Sequence, residues 1–152
     1  MTTPIAAPDD RTAFRTTDEI RDLVAAFEDT TLPYGRWTHA AHLAVGTWYT
    51  LWYGRAQAMP RMRVALQRYN AAHAHEPMKV GYHETMTGFW LWAIDRALRQ
   101  MPVERSLAEL VNGVVEAHAD RQLPLRYYTR DRLMSPAARR TWTEPDVRPL
   151  EP

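Results

Sequence analysis

An all-α fold is predicted for this chain on three observations. Apolar residues recur at helical spacing in five segments, capping boxes stand ahead of two of them, and no stretch alternates apolar and polar residues over more than a few positions. The expected architecture is a single-domain bundle of about five helices with an irregular C-terminal tail. Its 152 residues suffice for one sizeable core and are too few for two ordinary ones.

Residues 1–15 mix Pro, Thr, Ala and charge without periodicity and read as a flexible arm ahead of a helical domain over 16–143. Thr16-Thr17-Asp18-Glu19 has the capping-box pattern, and Ile20, Leu23, Val24 and Phe27 follow at i, i+3, i+4 and i+7, which predicts a first helix over about 17–29. After the turn at 30–35, Thr38 caps a second helix that is apolar nearly all round, reads as the buried central helix and stops at Gly54. A third, amphipathic helix follows over 55–72, with Met59, Met62, Leu66 and Tyr69 on one face and several Arg on the other. Residues 72–82 lack helical periodicity and form a candidate lid. A fourth helix spans 83–99. Ser106-Leu107-Ala108-Glu109 caps a fifth, which reaches about Ala119, and short helical pieces are expected at 129–133 and 135–140. Pro145, Pro149 and Pro152 mark 144–152 as an extended tail.

Composition narrows the function classes. The hydrophobic share of 45% and charged share of 24% are those of a globular protein, and no apolar run is long enough to span a bilayer. With no secretory pattern at the N-terminus, a cytoplasmic location is expected and no membrane partner. The absence of cysteine excludes disulfides, thiolate metal sites and cysteine nucleophiles. A formal charge of +1 without a basic stripe argues against a nucleic-acid partner. The expected partner is a small-molecule ligand, and a homodimer is compatible with the chain.

Two motifs carry the chemistry. In Trp37-Thr38-His39-Ala40-Ala41-His42, the two imidazoles project about 60° apart from one helix face, which continues through Gly46, Tyr49, Thr50 and Tyr53. In Gly81-Tyr82-His83-Glu84-Thr85, His83 and Glu84 open the fourth helix, and Gly88 lies one turn beyond Glu84. A helical glycine costs roughly 1 kcal/mol relative to alanine, so Gly46 and Gly88 call for a close neighbour or a ligand. If the two helices pack side by side, His39, His42 and His83 are candidate ligands of a single divalent metal (Zn, Fe, Mn or Ni) with an open position for water or substrate. In that reading His83, Glu84 and Glu28 are the catalytic groups, while Trp37, Tyr82, Gly46, Gly88 and Tyr49 line the substrate pocket. An imidazole acid/base pair without metal serves the same residues. The plainer alternative makes these core histidines bonded to Tyr, Thr or backbone groups. Neither the HExxH zincin pattern nor a carboxylate-bridged di-iron pair is present.

Other candidates have cheaper explanations. His73-Ala74-His75-Glu76 falls in the connection, and His118, at the end of the fifth helix, is expected to meet helix carbonyls. The C-terminal arginines, among them Arg139 and Arg140, are expected either to pair with surface carboxylates or to bind a substrate carboxylate or phosphate.

The segments Trp37 to Leu43, Tyr69-Asn70, Gly81 to Thr85 and Ala138-Arg139 to Trp142 with Pro145-Asp146 together resemble an uncharacterised family of small bacterial helical proteins, over roughly residues 20 to 150. The resemblance implies a shared histidine cluster and brings no known activity. The architecture is also similar to helical-bundle DinB-like proteins, which hold a metal on three histidines, but their histidine spacing is not matched, so the likeness is one of fold. The expected function is a small cytoplasmic hydrolase or lyase using a His/Glu pocket, metal-dependent or with imidazole acid/base groups. The alternatives are a binding protein without turnover and a helical interaction module with a structural His cluster.

Overall fold

The computed structural model describes residues 14–77 and 81–152. Most of the predicted arm and the middle of the candidate lid, residues 78–80, lie outside the described residues. The chain is all-helical: α1 (Thr17–Glu28), α2 (His39–Ala72), α3 (Glu84–Arg99), α4 (Leu107–Ala117), α5 (Arg130–Leu133) and α6 (Pro136–Arg140), with single 3-10 turns at Tyr34–Arg36 and Leu123–Arg126.

Each helix begins where a side chain satisfies an orphan backbone N–H. Thr16, Thr38, Ser106, Thr129 and Ser135 accept from the N–H groups of Glu19, Ala41, Glu109, Arg132 and Ala138 respectively. The sixth cap is His83, whose ring accepts from the N–H of Met86 and starts α3. Helix α1 ends with Thr30 at φ +68, the left-handed position that usually belongs to glycine.

The expected stop at Gly54 is a break within α2, not its end. Gly54 has φ +73 and ψ 157, a combination open essentially to glycine alone, and helix resumes immediately after it. Pro60 lies within the next two turns, so the backbone around the break is poor in helix hydrogen bonds. The break changes what the second helix presents: residues 40–50 are largely buried, whereas Leu51, Trp52 and Tyr53 emerge at 45%, 64% and 38% exposure.

The helix before Gly54 is the buried one that its sequence predicts, with Ala40, Leu43, Ala44, Val45 and Tyr49 in the main core beside α1, α3 and α4, and α3 links that core to the C-terminal segment. One face of α3, through Leu91, Ile94 and Ala97, joins the main core of α1, α2 and α4. The opposite face, through Phe89, Trp92 and Ala93, packs on Tyr127, Tyr128 and Leu133 of the C-terminal segment. Burying each of these large side chains contributes about 1.5–3 kcal/mol, which makes the C-terminal segment part of the fold.

Residues 144–152 carry no helix, bend at 146–148 and are fastened to the rest of the fold. The Trp92 indole donates to the Glu151 carbonyl at 2.6 Å, Arg96 pairs with the Glu151 carboxylate at 2.7 Å, and the Val147 N–H donates to the Tyr127 carbonyl at 2.9 Å. Upstream of α1, the Phe14 backbone exchanges two 2.8 Å hydrogen bonds with the Asn112 side chain on α4.

Candidate functional site

The two sequence motifs sit at the starts of α2 and α3, and helix packing separates them. His39 lies against Trp90, with ring centroids 4.8 Å apart, whereas His83 is the residue before α3 begins. At 1.5 Å per residue, seven positions along α3 place these levels about 10 Å apart along the helix axis. Among the described residues no group of three His, Asp or Glu side chains is arranged to hold a metal ion.

The ring nitrogens are engaged in ways that explain this. His83 accepts from the Met86 N–H at 3.0 Å through Nδ1 and donates from Nε2 to the Leu133 carbonyl at 2.7 Å, so the neutral ring has no lone pair left for a metal. Burial pushes its pKa below the ordinary imidazole value, with Arg139 acting in the same direction. His39 Nε2 donates to the His118 carbonyl at 2.8 Å, and His118 Nε2 donates in turn to the Ala93 carbonyl at 3.0 Å. Burial likewise lowers His118. The His118 ring thus meets a single carbonyl of α3, and not the end of its own helix as the sequence suggested. His42 bonds back through Nδ1 to the Thr38 carbonyl at 2.7 Å and stacks on Trp37 at 3.8 Å. The three-histidine metal centre with Zn, Fe, Mn or Ni does not fit these donors, because His39 ties α2 to the residue after α4, His83 ties the start of α3 to the end of α5, and His42 bonds back to the cap of its own helix.

The remaining predicted site residues are also distributed. Tyr49 is buried and donates to Glu28 at 3.1 Å, joining α2 to α1; burial and the Glu28 charge hold its phenol well above the ordinary value. Trp37 stacks on Phe27 at 4.5 Å and packs against the core. Gly46 provides room for a neighbouring helix and not for a substrate: a Cβ there would stand 2.6 Å from the Ile94 side chain. The glycine is thus a close α2–α3 contact.

A cavity of about 890 Å³ opens elsewhere, between the part of α2 after Gly54, α3 and the segment following α6. Its walls include Ala56, Met59, Leu91 and Trp142, with Gly88 on its floor, and its charged groups are Arg55, Arg63, Arg99, Arg140 and Glu84. Of the predicted site residues, Glu84 and Gly88 belong to it.

The Gly81 to Thr85 motif builds one side of this cleft. Arg139 donates to the carbonyls of Gly81 and Tyr82 at 3.0 and 3.4 Å, fixing the approach to α3. Glu84, only 8% exposed, is gripped by the Arg63 fork: Nε lies 2.9 and 3.0 Å from its two oxygens and Nη2 2.8 Å from one of them. Thr85 donates to the Thr141 carbonyl at 2.9 Å and accepts from the Thr143 N–H at 3.0 Å, which holds the C-terminal segment against α3. That clamp presents Trp142 to Gly88, where a Cβ would meet the indole ring at 3.0 Å. Beside the Arg63–Glu84 pair, the buried Tyr82 hydroxyl makes no hydrogen bond within the described residues, and burial pushes its pKa up to about 12.

Charge in the cleft is one-sided. Arg63 neutralises Glu84, and Arg99 pairs with Asp95 one helical turn away at 3.0 Å. Arg55 and Arg140 form no ion pair with any described residue. The cleft therefore carries two uncompensated guanidinium groups over an apolar and aromatic wall, a combination suited to an anion with a hydrophobic body.

Sequence reasoning reached Arg140 as one of several C-terminal arginines able to hold an anion, and it passed over Arg55, Met59, Arg63 and Trp142. The signal for Arg63 was available: it is one of four arginines on a helix, His39–Ala72, that contains no Asp or Glu, so any carboxylate partner had to come from another element. Comparison of the chain with protein-family models, with curated proteins and with solved structures finds no match.

Proposed function

We propose that this chain is a small-molecule-binding protein whose cleft between α2 and α3 takes an organic anion, such as a carboxylate or phosphate ester with an aromatic or aliphatic body. The observation that supports this most directly is that Arg55 and Arg140, which make no ion pair among the described residues, lie on a cavity walled by Met59, Leu91 and Trp142. The arginines bind the anionic end bidentately, and the wall takes the hydrophobic part. The Arg63–Glu84 pair sets the depth of the cleft and offers a polar contact without adding net charge. This reading keeps the small-molecule partner expected from the sequence and moves it from the histidines to the arginines.

A thermal-shift and calorimetric screen tests it with 1-naphthoate, phenyl phosphate and octanoate as anions and with 1-naphthylmethanol and octanol as their neutral counterparts. The anions are expected to raise Tm in wild type and to lose that effect in Arg55→Ala/Arg140→Ala. Equal responses to anions and alcohols, or an unaltered response in the double variant, would overturn the assignment.

A further inference from the structure

A second surface lies outside the cleft, at the bend of α2. The helix emerges there as three consecutive exposed apolar residues, Leu51, Trp52 and Tyr53, at 45%, 64% and 38% exposure, immediately before the positive-φ Gly54. Trp48 backs Trp52 with ring centroids 5.6 Å apart, and the guanidinium of Arg61 lies 4.1 Å from the centroid of the Tyr53 ring. On the helix beyond the bend, positions 57, 61, 64 and 68 share one exposed stripe, so Val64, 55% exposed, stands between Arg61 and Arg68. An apolar knuckle is thereby flanked by cations on a 34-residue helix without a single carboxylate. The neighbouring Glu28 of α1 is engaged by the Tyr49 hydroxyl.

We propose that this bend docks on an anionic lipid surface, with Leu51 and Trp52 entering the headgroup region and Arg61 and Arg68 contacting lipid phosphates. Trp and Tyr favour that boundary because their rings are apolar and their polar atoms stay hydrated, and arginines beside them add attraction to negative headgroups. No helix among the described residues is long and apolar enough to cross a membrane, so the contact is peripheral. The charge pattern selects lipid over a second copy of the chain: a twofold contact would bring the arginine-flanked bend against itself with no carboxylate on α2 to pair with. Neither Leu51 nor Trp52 lines the cleft, so this surface stands or falls independently of the anion site.

Co-sedimentation of the full chain with vesicles of phosphatidylcholine alone, and of phosphatidylcholine and phosphatidylglycerol in equal parts, tests the proposal. Binding to the mixed vesicles is expected, falling as salt is raised. Leu51→Ser/Trp52→Ser should lose it about tenfold or more, and Arg61→Ala and Arg68→Ala about fivefold each. No sedimentation of wild type, or equal sedimentation with both vesicle types, would overturn it. So would a wild-type dimer in sedimentation velocity that the Leu51→Ser/Trp52→Ser variant dissociates, since the knuckle would then be covered by a second copy.

Discussion

The two ends of α2 handle polar groups in opposite ways. Before Gly54, the partly buried His39 lies against Trp90 and the exposed His42 against Trp37, and each gives a ring N–H to a backbone carbonyl. After Gly54, Arg55 and Arg63 reach a cavity, where one is paired with Glu84 and the other is not. A buried imidazole is affordable to a core because it titrates near neutrality and can satisfy itself with one donor and one acceptor bond. A guanidinium stays charged and needs a carboxylate, water or a ligand. Where a core has used up its histidines internally, the unpaired arginines are the better guide to a site.

Substitutions sharpen that contrast, beginning with the largest effect. His83→Ala removes the cap of α3 and leaves the Leu133 carbonyl without its donor, which should cost about 2–4 kcal/mol in urea denaturation. A loss below about 1 kcal/mol would show that the ring is not a structural pin. Gly54→Ala forces a side chain into φ +73, ψ 157 and should cost about 1–3 kcal/mol by the same measurement. Gly46→Val should cost about 1–3 kcal/mol by crowding Ile94. On the arginine side, Arg140→Ala should change stability by less than about 0.5 kcal/mol while weakening anion binding, because the residue is exposed and makes no ion pair among the described residues.

The histidine side also predicts a pH dependence. His83 and His118 both titrate lower in the folded chain than the ordinary value of 6.5. The unfolded chain therefore takes up protons first, so the stability these rings contribute is full above 6.5 and is lost as pH falls below it toward their folded values. Tm measured downward from neutral pH should decline through this window, and His118→Gln should flatten part of the decline. A Tm that rises through the same window would contradict the buried, neutral assignment.

The fold was legible because its signals are local. Thr16, Thr38, Ser106, Thr129 and Ser135 each lie within three residues of the N–H they satisfy, and Gly54 marks the break in α2 by its own backbone freedom. The site was legible only in part, because its determinants are distant in the chain. His39 and the His118 carbonyl are separated by 79 positions, and His83 and the Leu133 carbonyl by 50. Spacing identifies imidazoles that share a helix face, but it carries no information about which carbonyl arrives from elsewhere to occupy them. The helical glycines illustrate the same limit: both mark close approaches, yet Gly46 meets Ile94 in the core and Gly88 meets Trp142 at the cleft.

The most direct test is an NMR titration with 1-naphthoate that follows the tryptophan indole N–H resonances, with Trp142 assigned by Trp142→Phe. The arginine-cleft account predicts a saturable shift of the Trp142 signal that is abolished in Arg55→Ala/Arg140→Ala, while the histidine rings keep their chemical shifts. A titration that leaves Trp142 unmoved and perturbs His39, His42 or His83 instead would return the site to the histidines and contradict the account.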